Sequence, residues 1–348
     1  MYSGYRRNQK GAPTVDMPHQ ILEQLLQRKF DQDIRRHYFR GMEFAEPAGD
    51  PGWFGPDSAV WHVHSHTEAL IFGLQCAAFI ERLDPSIFWM GMHHSRLVQR
   101  DENGVATPRI DPQGAAVRLG HSIAFFIGTA YGTTDTAERL AATVRAMHHT
   151  IKGTRPDGAV YDADDPDWLR WNYATVVWGL ATAHEIYHPN PLRGKKLDRY
   201  YGEFTRVGRA LGGTDLPATK AETLECLHSY LPRLALTHGA AMATGPNLGL
   251  PHSAMDWAIR DTMPKWAKQL IGHTDPNPIE RAARRAAVWS VINGLHTAAG
   301  LTPEFRQARK RVAGGVDPLL APHTEPTYVP GSDPVLTRDQ VEQGFAPV

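Results

Sequence analysis

Residues 113–152, QGAAVRLGHSIAFFIGTAYGTTDTAERLAATVRAMHHTIK, carry two helical patterns divided by a turn. Apolar residues recur three and four apart on both sides of Gly132–Thr133–Thr134–Asp135, the period of a helix rather than the alternation of a strand. So short a connection makes the two helices antiparallel neighbours. On the first, Arg118, His121 and Ser122 stand at i, i+3 and i+4 and share one face. On the second, Arg145 and His148 stand at i and i+3. A cation, an imidazole and a hydroxyl on a helix otherwise built of Ile123, Ala124, Phe125, Phe126 and Ile127 need a polar partner if they face inward.

The two polar faces are placed to meet. A flat, anionic macrocycle such as haem would satisfy both, with an imidazole on its iron, arginines on its propionates and apolar side chains around the ring. On spacing alone, a packing or surface histidine beside an arginine accounts for the same residues. His149 points about 100° away from His148 around the helix, so only one of the pair faces a given pocket.

Outward from this pair, helical spacing covers segments around 19–37, 68–83, 166–187, 196–212, 220–231 and 279–300, and convincing strands are few. Asp165–Pro166 is a cap followed by proline at the first helical position, opening a helix through Trp171, Thr175 and Trp178 that stops before Pro189. Pro278 opens another, whose Arg281, Arg284 and Arg285 read as a solvated face. Residues 41–56, rich in Gly, Pro and acids, form a loop. After Val316, prolines at 318, 322, 326, 330 and 334 exclude a helix interior. The expected organisation is an N-terminal extension with a helix over 1–40, one helical domain over 41–312 and a Pro-rich tail over 313–348.

Composition narrows the functions. At 42% hydrophobic and 21% charged residues, the 348-residue chain has the make-up of a folded globular protein. Lys plus Arg and Asp plus Glu both number 37, so no global charge draws the chain to nucleic acid. Cys76 and Cys226 lie in apolar helical patterns and indicate neither a disulfide scaffold nor a thiolate metal site; the expected compartment is reducing and cytoplasmic. The most apolar run, Ile123–Tyr131, falls short of the ~20 residues of a transmembrane helix. With 18 histidines, an iron or other transition metal would be held by imidazole.

Other groups are weaker. His62, His64 and His66 would share one side of a strand, the arrangement of many zinc hydrolases, but they read as a turn into a helix, where alternate residues diverge. His93–His94 follow Trp89–Met90–Gly91–Met92, which reads as a buried turn. Trp168, Trp171 and Trp178 read as core packing, although an aromatic wall that includes Trp171 and its neighbour Tyr173 would suit a large planar ligand. No nucleophile elbow, phosphate loop or dinucleotide fingerprint stands in a credible context.

Taken in order, the motifs resemble the MpaB and latex-clearing-protein family of haem-b oxygenases, from about Gly52 to about Gly272. Gly52–Trp53–Phe54–Gly55–Pro56–Asp57–Ser58–Ala59–Val60–Trp61 resembles the family's G-x-F-G-P-x-S-x-x-W. Arg118 and Ser122 match R-x-x-x-[ST]; Val144–Arg145–Ala146–Met147–His148 with Gly153 matches V-R-x-x-H-x-x-x-x-G. Tyr161, Ala163, Asp165 and Pro166 match Y-x-A-x-D-P, and Asp198–Arg199–Tyr200–Tyr201–Gly202–Glu203 with Leu216–Pro217 match D-R-Y-Y-x-E and L-P. The resemblance implies that His148 is the proximal iron ligand, that Arg145 lies close to the haem, and that Arg118, His121 and Ser122 face the distal side. Latex-clearing proteins carry lysine and threonine where His121 and Ser122 stand, and many members read W-V-H where this chain has Trp171–Asn172–Tyr173.

The expected fold class is therefore all-α, a single large helical domain with a globin-like core around a haem. The expected function is a haem-b oxygenase or oxidoreductase acting on an apolar small molecule, with an isoprenoid as one candidate, and on O2 or peroxide. Its cofactor contacts are His148, Arg145, Tyr173 and Trp171, and its catalytic groups Arg118, His121 and Ser122. Two other readings stand beside it: a non-catalytic haem binder or sensor with His148 and His121 both on iron, and a non-haem metal hydrolase using His62, His64 and His66.

Overall fold

Five helices open with the same punctuation, a proline at the first helical position behind a capping side chain. Asp84, Asp111, Asp165, Asn277 and Thr302 each accept a hydrogen bond from a backbone N–H of the following turn, satisfying donors that the helix itself leaves orphaned. The structure, a computed structural model, describes residues 38–95, 98–237 and 252–314. Helices α1 (Ala59–His64), α2 (Thr67–Glu81) and α3 (Pro85–His94) are followed by a hairpin of β1 (Val98–Arg100) and β2 (Ala106–Ile110). Then come α4 (Pro112–Tyr131), α5 (Thr134–His148) and a second hairpin, β3 (Lys152–Thr154) and β4 (Val160–Asp162). Next are α6 (Pro166–Tyr187), α7 (Lys195–Ala210) and α8 (Lys220–Ser229). Helices α9 (His252–Thr262), α10 (Lys265–Leu270), α11 (Pro278–Ala299) and α12 (Pro303–Val312) complete the described chain.

The class is all-α: twelve α-helices and two antiparallel two-stranded hairpins among the described residues. The expected segments at 68–83, 166–187, 220–231 and 279–300 are found within two residues of their ends. The expected helix at 19–37 and the tail from 315 onward lie outside the described residues. Two expectations change. Trp89–Met92 is not a turn but part of α3. The α5 pattern stops at His148, and Lys152 already belongs to β3.

Helices α2 and α6 are buried on both sides, and that makes them the central layer. Leu70 and Leu74 of α2 join Tyr173, Val177 and Leu180 of α6 in one core, together with α4 and α7. Phe72, Cys76 and Phe79 join Trp171, Ala174 and Trp178 in the other, against α8, α9 and α11. The two helices cross at glycines. A Cβ on Gly179 would lie 2.5 Å from the Gly73 carbonyl oxygen and 2.8 Å from the Ala77 nitrogen, and a Cβ on Gly73 2.9 Å from the Gly179 oxygen. Backbone cannot move aside as a side chain can. Gly179→Val is therefore expected to cost about 3 kcal/mol or more in urea unfolding.

The loop over 41–56 is tied to the turn between α4 and α5. Asp50 accepts from Thr134 N (2.8 Å), Thr134 Oγ1 (2.8 Å) and Gly52 N (2.8 Å). Burial raises its pKa, but those hydrogen bonds and the Arg311 charge outweigh it, so the carboxyl sits below its usual value of 3.8. A depressed carboxyl stabilises the fold above its unfolded value and loses that contribution as pH falls through the folded one. Asp50→Ala is expected to cost about 1–2 kcal/mol at pH 7. Urea midpoints of the two proteins should converge as pH is lowered through 3.8.

The arginines of α11 correct another expectation. Arg281 and Arg285 do not form a solvated face: both guanidinium groups bind the carboxylate of Asp261, whose side chain is fully buried. A buried carboxylate requires such partners. Arg284 alone of the three pairs at the surface, with Glu280.

Candidate cofactor site

His148 ends α5, where it is 8% exposed and packs edge-on against Trp168 with ring centroids 5.4 Å apart. Its Nδ1 is buried without a hydrogen-bond partner. Burial, and then the charge of Arg118, push its pKa down to about 4, so the ring is neutral at physiological pH. A neutral imidazole with an unclaimed nitrogen is the form that binds a metal. His149, the next residue, turns outward to Asp164, 2.7 Å away.

Arg118 lies close enough to His148 for its charge to lower the pKa of the histidine, so the polar face of α4 is turned towards the end of α5. Burial lowers the pKa of Arg118 itself. Its Nη1 donates to Ser122 Oγ (3.3 Å), and Ser122 Oγ donates to the Arg118 carbonyl (3.0 Å). His121 is buried, its ring edge-on to Tyr38 at 4.7 Å.

One member of this group was not anticipated. Glu81, the last residue of α2, interacts with Arg118 and accepts a hydrogen bond from Asn172 Nδ2 on α6. Burial raises its pKa, with Asn172 and Arg118 opposing, so it holds a proton more readily than an ordinary glutamate. The available signal was an acid closing the apolar run Ala77–Ala78–Phe79–Ile80. Glu81 and Asn172 thus extend the group around Arg118.

The remaining expected contacts separate. Arg145 is exposed, lies against Gly212, and has no acidic partner among the described residues. Trp171 is fully buried, donates from Nε1 to the Glu81 carbonyl (3.4 Å) and packs on Tyr230. The Tyr173 hydroxyl donates towards the carbonyls of Tyr201 (3.2 Å) and Pro217 (3.3 Å). Both rings belong to the two cores, and their polar atoms are already engaged there.

Beyond Trp168, a small cluster of Met90, Tyr161 and Ala163 packs with Ile87, Trp89 and Ile151. The Tyr161 hydroxyl meets His93 Nδ1 (2.6 Å) and His94 Nε2 (3.1 Å) and lies where a Cβ on Gly153 would stand, 2.3 Å away. The motif glycine at 153 makes room for the motif tyrosine at 161.

His62, His64 and His66 do not converge, because the first two lie in a helix and the third caps the next. His62 Nε2 meets the Asn190 carbonyl (2.9 Å), His64 Nε2 meets Tyr200 Oη (3.3 Å), and His66 Nε2 meets Asn293 Oδ1 (3.2 Å). As one ligand set they are excluded by the helical period. A groove of about 590 Å³ lined by Trp178, Arg193, Lys220, Arg285 and Trp289, among others, contains none of the His148 group. No helix among the described residues is long and apolar enough to cross a membrane.

A family model described as "ER-bound oxygenase mpaB/B'/Rubber oxygenase, catalytic domain" matches residues 61–293. No curated protein and no solved structure matches the chain.

Proposed function

The chain belongs to the mpaB and rubber-oxygenase family, and from that premise we propose that it is a haem-b-dependent oxygenase of an apolar, isoprenoid-like small molecule. The observation that carries the cofactor assignment is His148: buried, neutral, with Nδ1 unclaimed, and within reach of the Arg118 charge. Those residues fit a porphyrin. A haem held by the neutral imidazole of His148 would supply oxidising chemistry with O2 or peroxide.

The chain's own groups divide the rest of the work. Arg145, a cation without an acidic partner among the described residues, is suited to a propionate. Arg118, fixed by Ser122, places positive charge on the distal side together with His121. Glu81, with its raised pKa, holds or passes a proton at its carboxyl oxygens next to Arg118.

Purified full-length protein is expected to show a Soret band, a b-type pyridine haemochrome and close to one iron per chain. A folded, helical protein that takes up no haem when expressed with ample haem supply overturns the assignment. Ready binding of CO by the ferrous protein supports an open iron position, whereas a six-coordinate ferrous spectrum that CO leaves unchanged favours a haem binder with His148 and His121 both as ligands.

A further inference from the structure

At the end of α2 opposite Glu81, α1 and the C-terminal end of α6 bring three more imidazoles together. His62, His184 and His188 each offer one ring nitrogen within 4.8 Å of the others'. Their ring centroids lie 5.3 Å (His62–His184), 4.8 Å (His62–His188) and 4.5 Å (His184–His188) apart. His184 and His188 are one helical turn apart and therefore stack on one face of α6 and its end.

One nitrogen of each ring is engaged by the turn after α6. His62 Nε2–H donates to the Asn190 carbonyl (2.9 Å), His188 Nδ1 accepts from Asn190 N–H (3.0 Å), and His184 Nε2 accepts from Leu192 N–H (2.8 Å). That leaves His62 Nδ1, His184 Nδ1 and His188 Nε2 as the nitrogens not held by the turn. His184 Nδ1 is fully buried and has no hydrogen-bond partner. Buried polar atoms are rarely left so, and each such case needs an explanation.

We propose that His62, His184 and His188 form a binding site for one divalent transition-metal ion of borderline softness, with zinc the leading candidate. Three imidazoles suit zinc, copper or nickel and are too soft for magnesium or calcium. They leave a fourth position for water or a small anion.

The neighbouring group of His66, Glu68 and His296 is also close-set, but its chemistry is spoken for. His66 Nδ1 accepts from Ala69 N–H as the cap of α2, and its Nε2 donates to Asn293 Oδ1, whose amide nitrogen is fixed by the Tyr187 and Trp289 carbonyls. His296 Nδ1 donates to Glu68 at 2.8 Å. Both nitrogens of His66 are hydrogen-bonded, whereas Nδ1 of His184 is not.

Binding has a local consequence. Without metal, His184 and His188 accept backbone N–H groups on their outer nitrogens, so each carries its proton on the inner one. Coordination at the inner nitrogen sends that proton to the outer nitrogen, with no net release. The outer nitrogen then donates and can no longer accept from Leu192 or Asn190. The turn 189–192 must rearrange as the ion enters, and the ion must outweigh two backbone hydrogen bonds, as structural zinc sites do.

The test uses full-length protein stripped by chelator, desalted, and titrated with Co²⁺ as a visible probe, followed by Zn²⁺ competition. Wild type and His148→Ala should each retain one Zn²⁺ per chain through desalting, which separates this site from the haem ligand. His62→Gln and His188→Gln, checked for native helicity, should each bind about tenfold or more weakly, and His296→Gln should bind as wild type does. Failure to retain zinc overturns the proposal, as does retention unchanged in both histidine variants or lost only in His296→Gln.

Discussion

His148→Ala is expected to purify without stoichiometric haem, its Soret absorbance falling to about a tenth or less of the wild-type value, because no other imidazole among the described residues is placed to replace the ligand. The neighbour His149 is turned outward and paired with Asp164, and His121 is packed against Tyr38. The fold should survive. His148 contributes ring packing on Trp168 but no hydrogen bond through Nδ1. Removing it leaves a small cavity while relieving a desolvated nitrogen, a net change of about 1–2 kcal/mol. Free imidazole should enter the vacated space and restore part of the spectrum. His149→Ala is the matched control and should retain haem. An unaltered Soret band in His148→Ala removes the ligand assignment.

The all-α class was legible because the long helices bury broad stripes whose period survives in the sequence. Three kinds of element hid themselves. Helix α3 is apolar on nearly all sides in Ile87–Phe88–Trp89–Met90, so it has no period to read. Helix α1 is six residues long, little more than a turn. Helix α12 conceals its inner face, since Glu304, Gln307 and Arg311 are buried and its core-facing side is written largely in polar residues. The site divides the same way. Arg118, Ser122 and His148 lie on adjoining helices joined by a short turn, so local spacing brings them together. Glu81 reaches Arg118 only through the packing of α2 and α6, and His62 reaches His184 only across 122 positions of chain. No short-range pattern encodes such meetings.

Arg311 is the side chain whose loss should cost the fold most. It is 1% exposed, and its guanidinium donates to four carbonyls: Asp50 (2.7 Å), Phe44 (2.7 Å), Tyr131 (3.0 Å) and Gly132 (3.1 Å). These belong to the loop over 41–56 and to the turn between α4 and α5, so one residue of α12 clamps both. Gly52 makes the clamp possible: with φ at +66° and a Cβ position only 2.4 Å from the Gly132 oxygen, no other residue fits there. Arg311→Met keeps the aliphatic stem but takes the guanidinium donor from four carbonyls, and should cost about 4 kcal/mol in urea unfolding. Arg309→Met, at an exposed position over the Phe305 ring, should change stability by less than about 0.5 kcal/mol. The clamp lies at the opposite end of α5 from His148, about 20 Å along the helix axis. Folded Arg311→Met should therefore keep the wild-type Soret position while unfolding at lower urea, and a variant that instead loses haem without losing stability would show that α12 acts on the cofactor rather than on the fold.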